Sequence, residues 1–203
     1  MKLYNSIGPN PRAVRMFAAE KQIEIPRIEV DLIGGENRRE PYLRKNPMGQ
    51  LPALELETGE CITEIVAICE YLEDTHPSPP LIGSTPEEKA ESRKWTRCVD
   101  LNICEPMANG FRFCEGLALF QNRIVTVPEA ADGLKRIAQD RIGWLDAHMG
   151  GKEFVCGPRF TLADILLFCF LDFGRQVGQP LREENKNIAA WFQRVKSRPA
   201  ARA

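Results

Sequence analysis

Two hydrophobic periods alternate in the first third of the chain. Lys2-Leu-Tyr-Asn5 reads as a short strand, and Ser6-Ile-Gly-Pro-Asn-Pro-Arg12 as a turn entering a helix with Val14, Phe17 and Ala18 on its inner face. Pro11 suits a first helical position, where no N–H is needed. Ile28, Val30 and Leu32 alternate as a second strand, Gly34-Gly35 breaks the chain, and Asn37 to Arg44 forms a polar, short-helical loop. Pro47, Gly49 and Pro52 crowd the next loop; Leu54 and Leu56 then share one face of a third strand, and Thr58-Gly59 turns the chain. Ile65, Ile68, Cys69 and Leu72 fall at i, i+3, i+4 and i+7 of a helix, with Thr63 as N-cap and Glu64 in the first turn.

Past Leu72 the pattern changes. Pro77, Pro79, Pro80, Gly83 and Pro86 propagate neither regular structure, so a domain boundary is expected there. Everything after it reads helical. Thr85 caps a helix whose first turn is acidic (Glu87, Glu88) and which runs through Trp95, Cys98, Val99 and Asn102 towards Pro106. Leu134, Ile137, Ala138, Ile142 and Leu145 mark the inner face of another, stopped near Gly150-Gly151. Thr161 and Asp164 form a capping-box variant, with Phe160 and Ile165 as its hydrophobic staple. The helix they start is apolar on more than one face, from Leu162 to Phe173, and should be the buried centre of this half, ended by Asp172 and Gly174. Ile188, Trp191, Phe192 and Val195 give a last amphipathic helix.

Charge and composition narrow the partners. A net charge of -1 over 203 residues gives no electrostatic reason to expect nucleic acid or an acidic membrane surface. No apolar run approaches the roughly 18 residues of a membrane span, and a chain opening directly on a strand reads as cytoplasmic. The seven cysteines include no Cys-x-x-Cys, and Cys69, Cys98 and Cys169 sit at apolar helical positions, as buried reduced thiols do. His76 and His148 are too few and scattered for zinc, so no metal is expected.

The strongest candidate chemistry lies around Pro52. Pro52 has no ladder donor and should begin its strand, leaving Leu51 extended and unpaired, with both backbone groups on offer to a bound peptide. The next helix start presents free N–H groups to a carboxylate, while Glu64 can pair with an ammonium, so the site suits the zwitterionic end of an amino acid. The plainer reading is a turn followed by a core helix with no ligand.

Asn46-Pro-x-Gly-Gln-x-Pro52 followed by Glu64-x-x-Ala-Ile-x-x-Tyr-Leu72 resembles the glutathione-binding half of the glutathione S-transferase family, and the capped helix at Thr161 extends the resemblance over essentially the whole chain. It implies an α/β plus all-α fold: a thioredoxin-like domain at residues 1–76, a linker at 77–85 and an all-helical domain at 86–203 that contributes the electrophile site. It also implies a cis Pro52, a Leu51 backbone paired with the cysteinyl part of glutathione, and an acid–hydroxyl pair gripping the γ-glutamyl end. Here Ile65 stands where that hydroxyl belongs, leaving only its N–H. Gln50 and Asn37 match family donors to the glycyl carboxylate, with Lys45, Arg38 and Arg39 as alternatives that read as surface charges.

Conjugation needs a thiolate, and a thiol of pKa near about 8.5 is mostly protonated at neutral pH. The family's Ser and Cys positions fall on Gly8, Pro9 and Asn10. Gly-Pro-x-Pro followed by Val-Arg is similar to a fungal and bacterial subgroup without the usual hydroxyl or thiol, in which the helix N-terminus is thought to help hold the thiolate. Asn10 is the first candidate for an added donor and Ser6 the second, with Tyr4 in reserve; Arg12 is a better anion-binding candidate than Arg15. For the electrophile, Phe111, Arg112 and Cys114 form an aromatic, singly charged patch. Met107, Phe111 and Phe113 read equally well as plain core.

The function implied by the resemblance is glutathione transfer to a hydrophobic electrophile, a detoxification chemistry, by a homodimer using glutathione as co-substrate. A glutathione-dependent isomerase or dehalogenase is one alternative. A non-catalytic glutathione-binding module is another, favoured by the bare Gly8-Pro9-Asn10 and by Ile65.

Overall fold

The computed structural model describes all 203 residues, which divide into two compact units: Met1–Leu81 with Arg202–Ala203, and Ile82–Ala201. In the first, strand β1 (Lys2–Asn5) leads into helix α1 (Pro9–Glu20) and back to β2 (Arg27–Glu29), which runs parallel to β1. A short 3-10 turn at Glu36–Arg38 and helix α2 (Tyr42–Lys45) lead to β3 (Ala53–Glu55), β4 (Cys61–Thr63) and helix α3 (Ile65–Thr75). The sheet order is β2-β1-β3-β4, with β3 antiparallel to both of its neighbours.

Strand alternation splits the buried residues of this unit into two layers. Leu3 pairs with Leu54, both fully buried, and with Val14, Met16, Phe17, Ile68, Cys69 and Leu72 they make the core under α1 and α3. Tyr4 and Ala53, the adjacent pair, point the other way into a cluster with Val30, Tyr42, Leu51 and Leu32. Lys21 closes the unit: its fully buried ammonium meets Glu73 at 2.7 Å and the carbonyls of His76 and Pro79 at 2.6 and 2.8 Å, while Glu73 also accepts from the Leu81 N–H. A buried charge of this kind is tolerable because every donor of the ammonium has an acceptor.

Three expectations for this unit are corrected. Helix α1 starts on Pro9, because Gly8 takes φ 106° and turns the chain before it; Pro11 is the third helical residue. Strand β2 is only three residues long and Leu32 lies beyond it, packed on the second cluster. Thr63 belongs to β4, and the residue that opens α3 is Glu64 itself, at φ 71° and ψ 132°, with no side-chain cap.

The second unit comprises α4 (Pro86–Val99), α5 (Glu105–Arg112), α6 (Leu117–Phe120), α7 (Ala131–His148), α8 (Leu162–Gln176) and α9 (Lys186–Lys196). Thr85 caps α4, its hydroxyl accepting from the Glu88 N–H while Glu88 accepts from Ser84. The helical path, read from the sequence as running towards Pro106, continues through it. A π-helical stretch at Asp100–Cys104 widens the turn just ahead of it, which makes room for a ring that an unbroken α-helix could not hold.

Helix α8 is the buried centre of the unit, and its start is closed as predicted. The Thr161 N–H donates to Asp164 at 3.0 Å, and the buried Asp164 also accepts from Val155 N–H at 2.9 Å and Trp191 Nε1 of α9 at 2.8 Å. The helix runs past Asp172 and Gly174 to Gln176. Asp172 pairs with Arg175 instead of capping, and a Cβ on Gly174 would meet Met107 Sδ at 2.7 Å, so that glycine serves helix packing. Ile137, expected on the inner face of α7, is half exposed, because the buried stripe runs through Ala131, Ala138, Ile142 and Leu145.

Candidate active site

Register places the candidate residues of the first unit at one end of its sheet. Tyr4 pairs with Ala53 and Ala53 with Thr63, so the chain leaving β1 (Ser6 to Asn10), the approach to β3 (Leu51-Pro52) and the exit of β4 (Glu64-Ile65) lie side by side. The Leu51–Pro52 peptide is cis. Neither backbone group of Leu51 has a backbone partner, although the residue is buried at 8 % exposure. A buried, unpaired donor and acceptor are costly unless a ligand completes them.

The loop before Leu51 is, by contrast, fully tied. Arg38 Nη1 donates to the Met48 carbonyl at 3.1 Å, Asn37 Nδ2 to that of Gly49 at 2.6 Å, and both Tyr42 Oη (2.5 Å) and Asn46 Nδ2 (2.9 Å) to that of Gln50. Gly49 is required here: it takes φ 61°, and a Cβ would sit 2.8 Å from the Asn37 carbonyl oxygen.

Asn37 is therefore corrected. At 2 % exposure, with its amide spent on Gly49, it holds the loop and has no reach to a ligand carboxylate. The side chain of Gln50 is half-buried and makes no hydrogen bond, leaving its amide available. Lys45 pairs with Glu55 at 2.9 Å and Arg39 bonds the carbonyls of Gly34 and Gly35. A cavity of about 590 Å³ is lined by Arg44, Lys45, Glu60 and Cys61; of the candidate residues it holds Lys45, and its two cations are already paired with Glu40 and Glu55.

At the start of α1 the donors separate clearly. Ser6 is buried and its hydroxyl donates to the Val30 carbonyl at 2.8 Å, which corrects its role: its proton is committed to the fold. Tyr4 donates to Glu55 at 2.6 Å, and that carboxylate holds the phenol above its ordinary pKa, so Tyr4 is not a source of charge for a thiolate. Arg15 spans Asn5 Oδ1 (2.6 Å) and the Ser6 carbonyl (3.2 Å), a fold contact and not a solvated charge. Pro9 and Pro11 have no N–H. Between them, Asn10 supplies a backbone N–H and a half-buried side-chain amide that makes no hydrogen bond within the chain. Helix α3 is different: Ile65, Val66 and Ala67 all carry N–H groups in its first turn, beside the exposed Glu64. The Glu64 backbone lies in a region a non-glycine residue occupies at a cost of about 1–3 kcal/mol, which is typical of binding sites.

In the second unit, Phe111 is half-buried with edge-on contacts to Phe120 and Phe173, at 6.1 and 5.1 Å between centroids. Arg112 bonds Asn109 at 2.9 Å and lies over the Phe120 ring, and burial lowers its pKa. Cys114 is exposed, whereas Met107 is plain core. The three candidate residues thus stand on the C-terminal end of α5 and the turn after it, among aromatic rings. No group of three or more His, Cys, Asp or Glu side chains is gathered as a metal site.

Family models agree with this geometry. Residues 1–74 match the glutathione S-transferase N-terminal domain, and residues 121–199 the C-terminal domain. The chain belongs to the glutathione S-transferase family. It is 29% identical over 202 residues to glutathione S-transferase 2 of Saccharomyces cerevisiae, covering 96% of this chain and 84% of that protein. The crystal structure of Gtt2 from the same yeast superposes with a TM-score of 0.93 at 28% identity, covering 100% of this chain and 99% of that one. Human elongation factor 1-gamma is 34% identical over 172 residues, which are 84% of this chain but only 37% of that longer protein.

Tyr42 and Asn46 are the site residues that sequence reasoning missed as donors. Asn46 lay within the recognised motif, but its target, a carbonyl four residues on, becomes visible only when the loop is closed.

Proposed function

We propose that the chain is a glutathione transferase that adds the glutathione thiolate to an apolar electrophile. The observation that carries the reading is the unpaired backbone of Leu51 at the lip of cis Pro52, flanked by two helix starts without side-chain caps. Leu51 would hold the cysteinyl amide, Glu64 the γ-glutamyl ammonium, and the N–H groups of Ile65 and Val66 its carboxylate. Gln50 is the donor left for the glycyl end.

Thiol activation falls to Asn10 and to the start of α1. A helix N-terminus favours an anion by about 0.3 to 2 kcal/mol, or at most about one and a half pKa units. With two prolines in the first turn, most of this effect is delivered through Asn10. Phe111, Arg112 and Cys114 are the proposed wall for the electrophile, whose apolar part would pack on the rings around Phe111. The family's habits support a cytoplasmic homodimer engaged in detoxification.

A second reading has its own support. The relatives named elongation factor 1-gamma, together with the missing hydroxyl at the start of α1 and at Ile65, favour a glutathione-binding module without turnover. The ultraviolet absorbance of the bound thiolate, titrated against pH, separates the two. A bound pKa well below about 8.5 supports transfer; a value equal to that of the free thiol supports the module, and the absence of saturable binding at millimolar glutathione removes both.

A further inference from the structure

We propose that Tyr42 is a positioning residue for glutathione: its hydroxyl, with the Asn46 amide, fixes the Gln50–Leu51 peptide so that Leu51 presents its backbone groups to the tripeptide already oriented. The inference rests on the reading of Leu51 as the cysteinyl anchor.

Three consecutive carbonyls, those of Met48, Gly49 and Gln50, are each held by a side chain (Arg38, Asn37, and Tyr42 with Asn46), and the pairing stops at Leu51. The Gln50 carbonyl alone takes two donors. It shares a rigid peptide plane with the Leu51 N–H, so clamping one end of that plane aims the other. Tyr42 is suited to the task. It is 4 % exposed, its ring is wedged edge-on against Tyr4 at 5.7 Å, and burial raises its pKa, so the phenol stays a donor. Helix α2 is only four residues long, and this contact gives it a role in the site that its length would not suggest. Orientation settled before binding reduces the entropy lost on binding, and that gain appears in affinity rather than in the chemical step. Because Ile65 removes one side-chain contact to the γ-glutamyl end, more of the affinity passes through Leu51.

Tyr42→Phe keeps the ring and deletes only the donor. The expected result is a 5- to 20-fold rise (an order-of-magnitude range) in the glutathione Kd and KM, with kcat at saturating glutathione and the KM for the electrophile each within about two-fold of wild type. The 15N order parameter of the Leu51 amide, measured on the free protein, should fall from about 0.85 towards about 0.6. Asn46→Ala provides a second variant with the same direction of effect, should the phenylalanine variant fold poorly. A folded Tyr42→Phe protein with unchanged glutathione affinity and an unchanged Leu51 order parameter overturns the proposal. If wild type itself binds no glutathione, the functional reading fails, and the order parameter still decides whether Tyr42 positions Leu51.

Discussion

The start of α8 contrasts with the starts of α1 and α3. At α8 the cap is closed: Thr161 and Asp164 bond each other, Val155 and Trp191 add donors, and Thr161 and Asp164 are fully buried. At α1 and α3 no side chain caps the helix, Gly8 and Glu64 stand at positive φ, and both are exposed. A closed start stabilises the fold; the open starts of α1 and α3 leave N–H groups on which the proposed glutathione site would draw.

The sharpest test of the closed kind is Asp164→Ala. It strands three buried donors, so a loss of about 3–5 kcal/mol is expected, read as a fall in urea midpoint. The same residue gives a pH signature. Burial pushes its carboxyl up to about 6 in the folded state, above an unfolded value of about 3.8, so the native state binds the proton more tightly. Its contribution therefore favours folding most at low pH and is lost as pH rises from about 4 to about 6, by about 3 kcal/mol in all. Urea melts of wild type against Asp164→Asn across that window should show the wild-type advantage greatest below about pH 4, shrinking as pH rises and constant above about 7.

Tests of the open kind should change binding and leave stability nearly alone. Glu64→Gln should weaken glutathione binding about 10-fold by calorimetry with no shift in Tm, whereas Glu64→Gly should weaken it similarly and stabilise the fold by about 1 kcal/mol, since glycine tolerates that backbone. A Glu64→Gly variant less stable than wild type would break the contrast between the two kinds of start. The smallest effect is expected from Asn10→Ala, which keeps the backbone N–H and removes the amide: the pKa of the bound thiol should rise by about half to one unit, with kcat/KM near pH 6.5 falling about 3- to 10-fold.

Periodicity and caps along the chain were enough to read the apolar faces of α1, α3, α8 and α9, the cap at Thr85 and the box at Thr161, because each rests on neighbours a few residues apart. Local spacing misled where a longer contact intervened. Asn37, matched to a ligand donor by resemblance, has its amide claimed by Gly49.

Which donors remain free is a different kind of property. Ser6, Tyr4 and Asn10 are all polar residues near one helix start, and nothing in their order along the chain says that Val30 and Glu55 occupy the first two. The amino-acid sequence by itself determined the two-part plan, the helix faces and the family motif, since short-range sterics and burial dictate them. Only the tertiary structure decided that the Asn10 amide is left without a partner within the chain and that Tyr42 and Asn46 share the Gln50 carbonyl, because a hydrogen bond is assigned by what stands opposite in space.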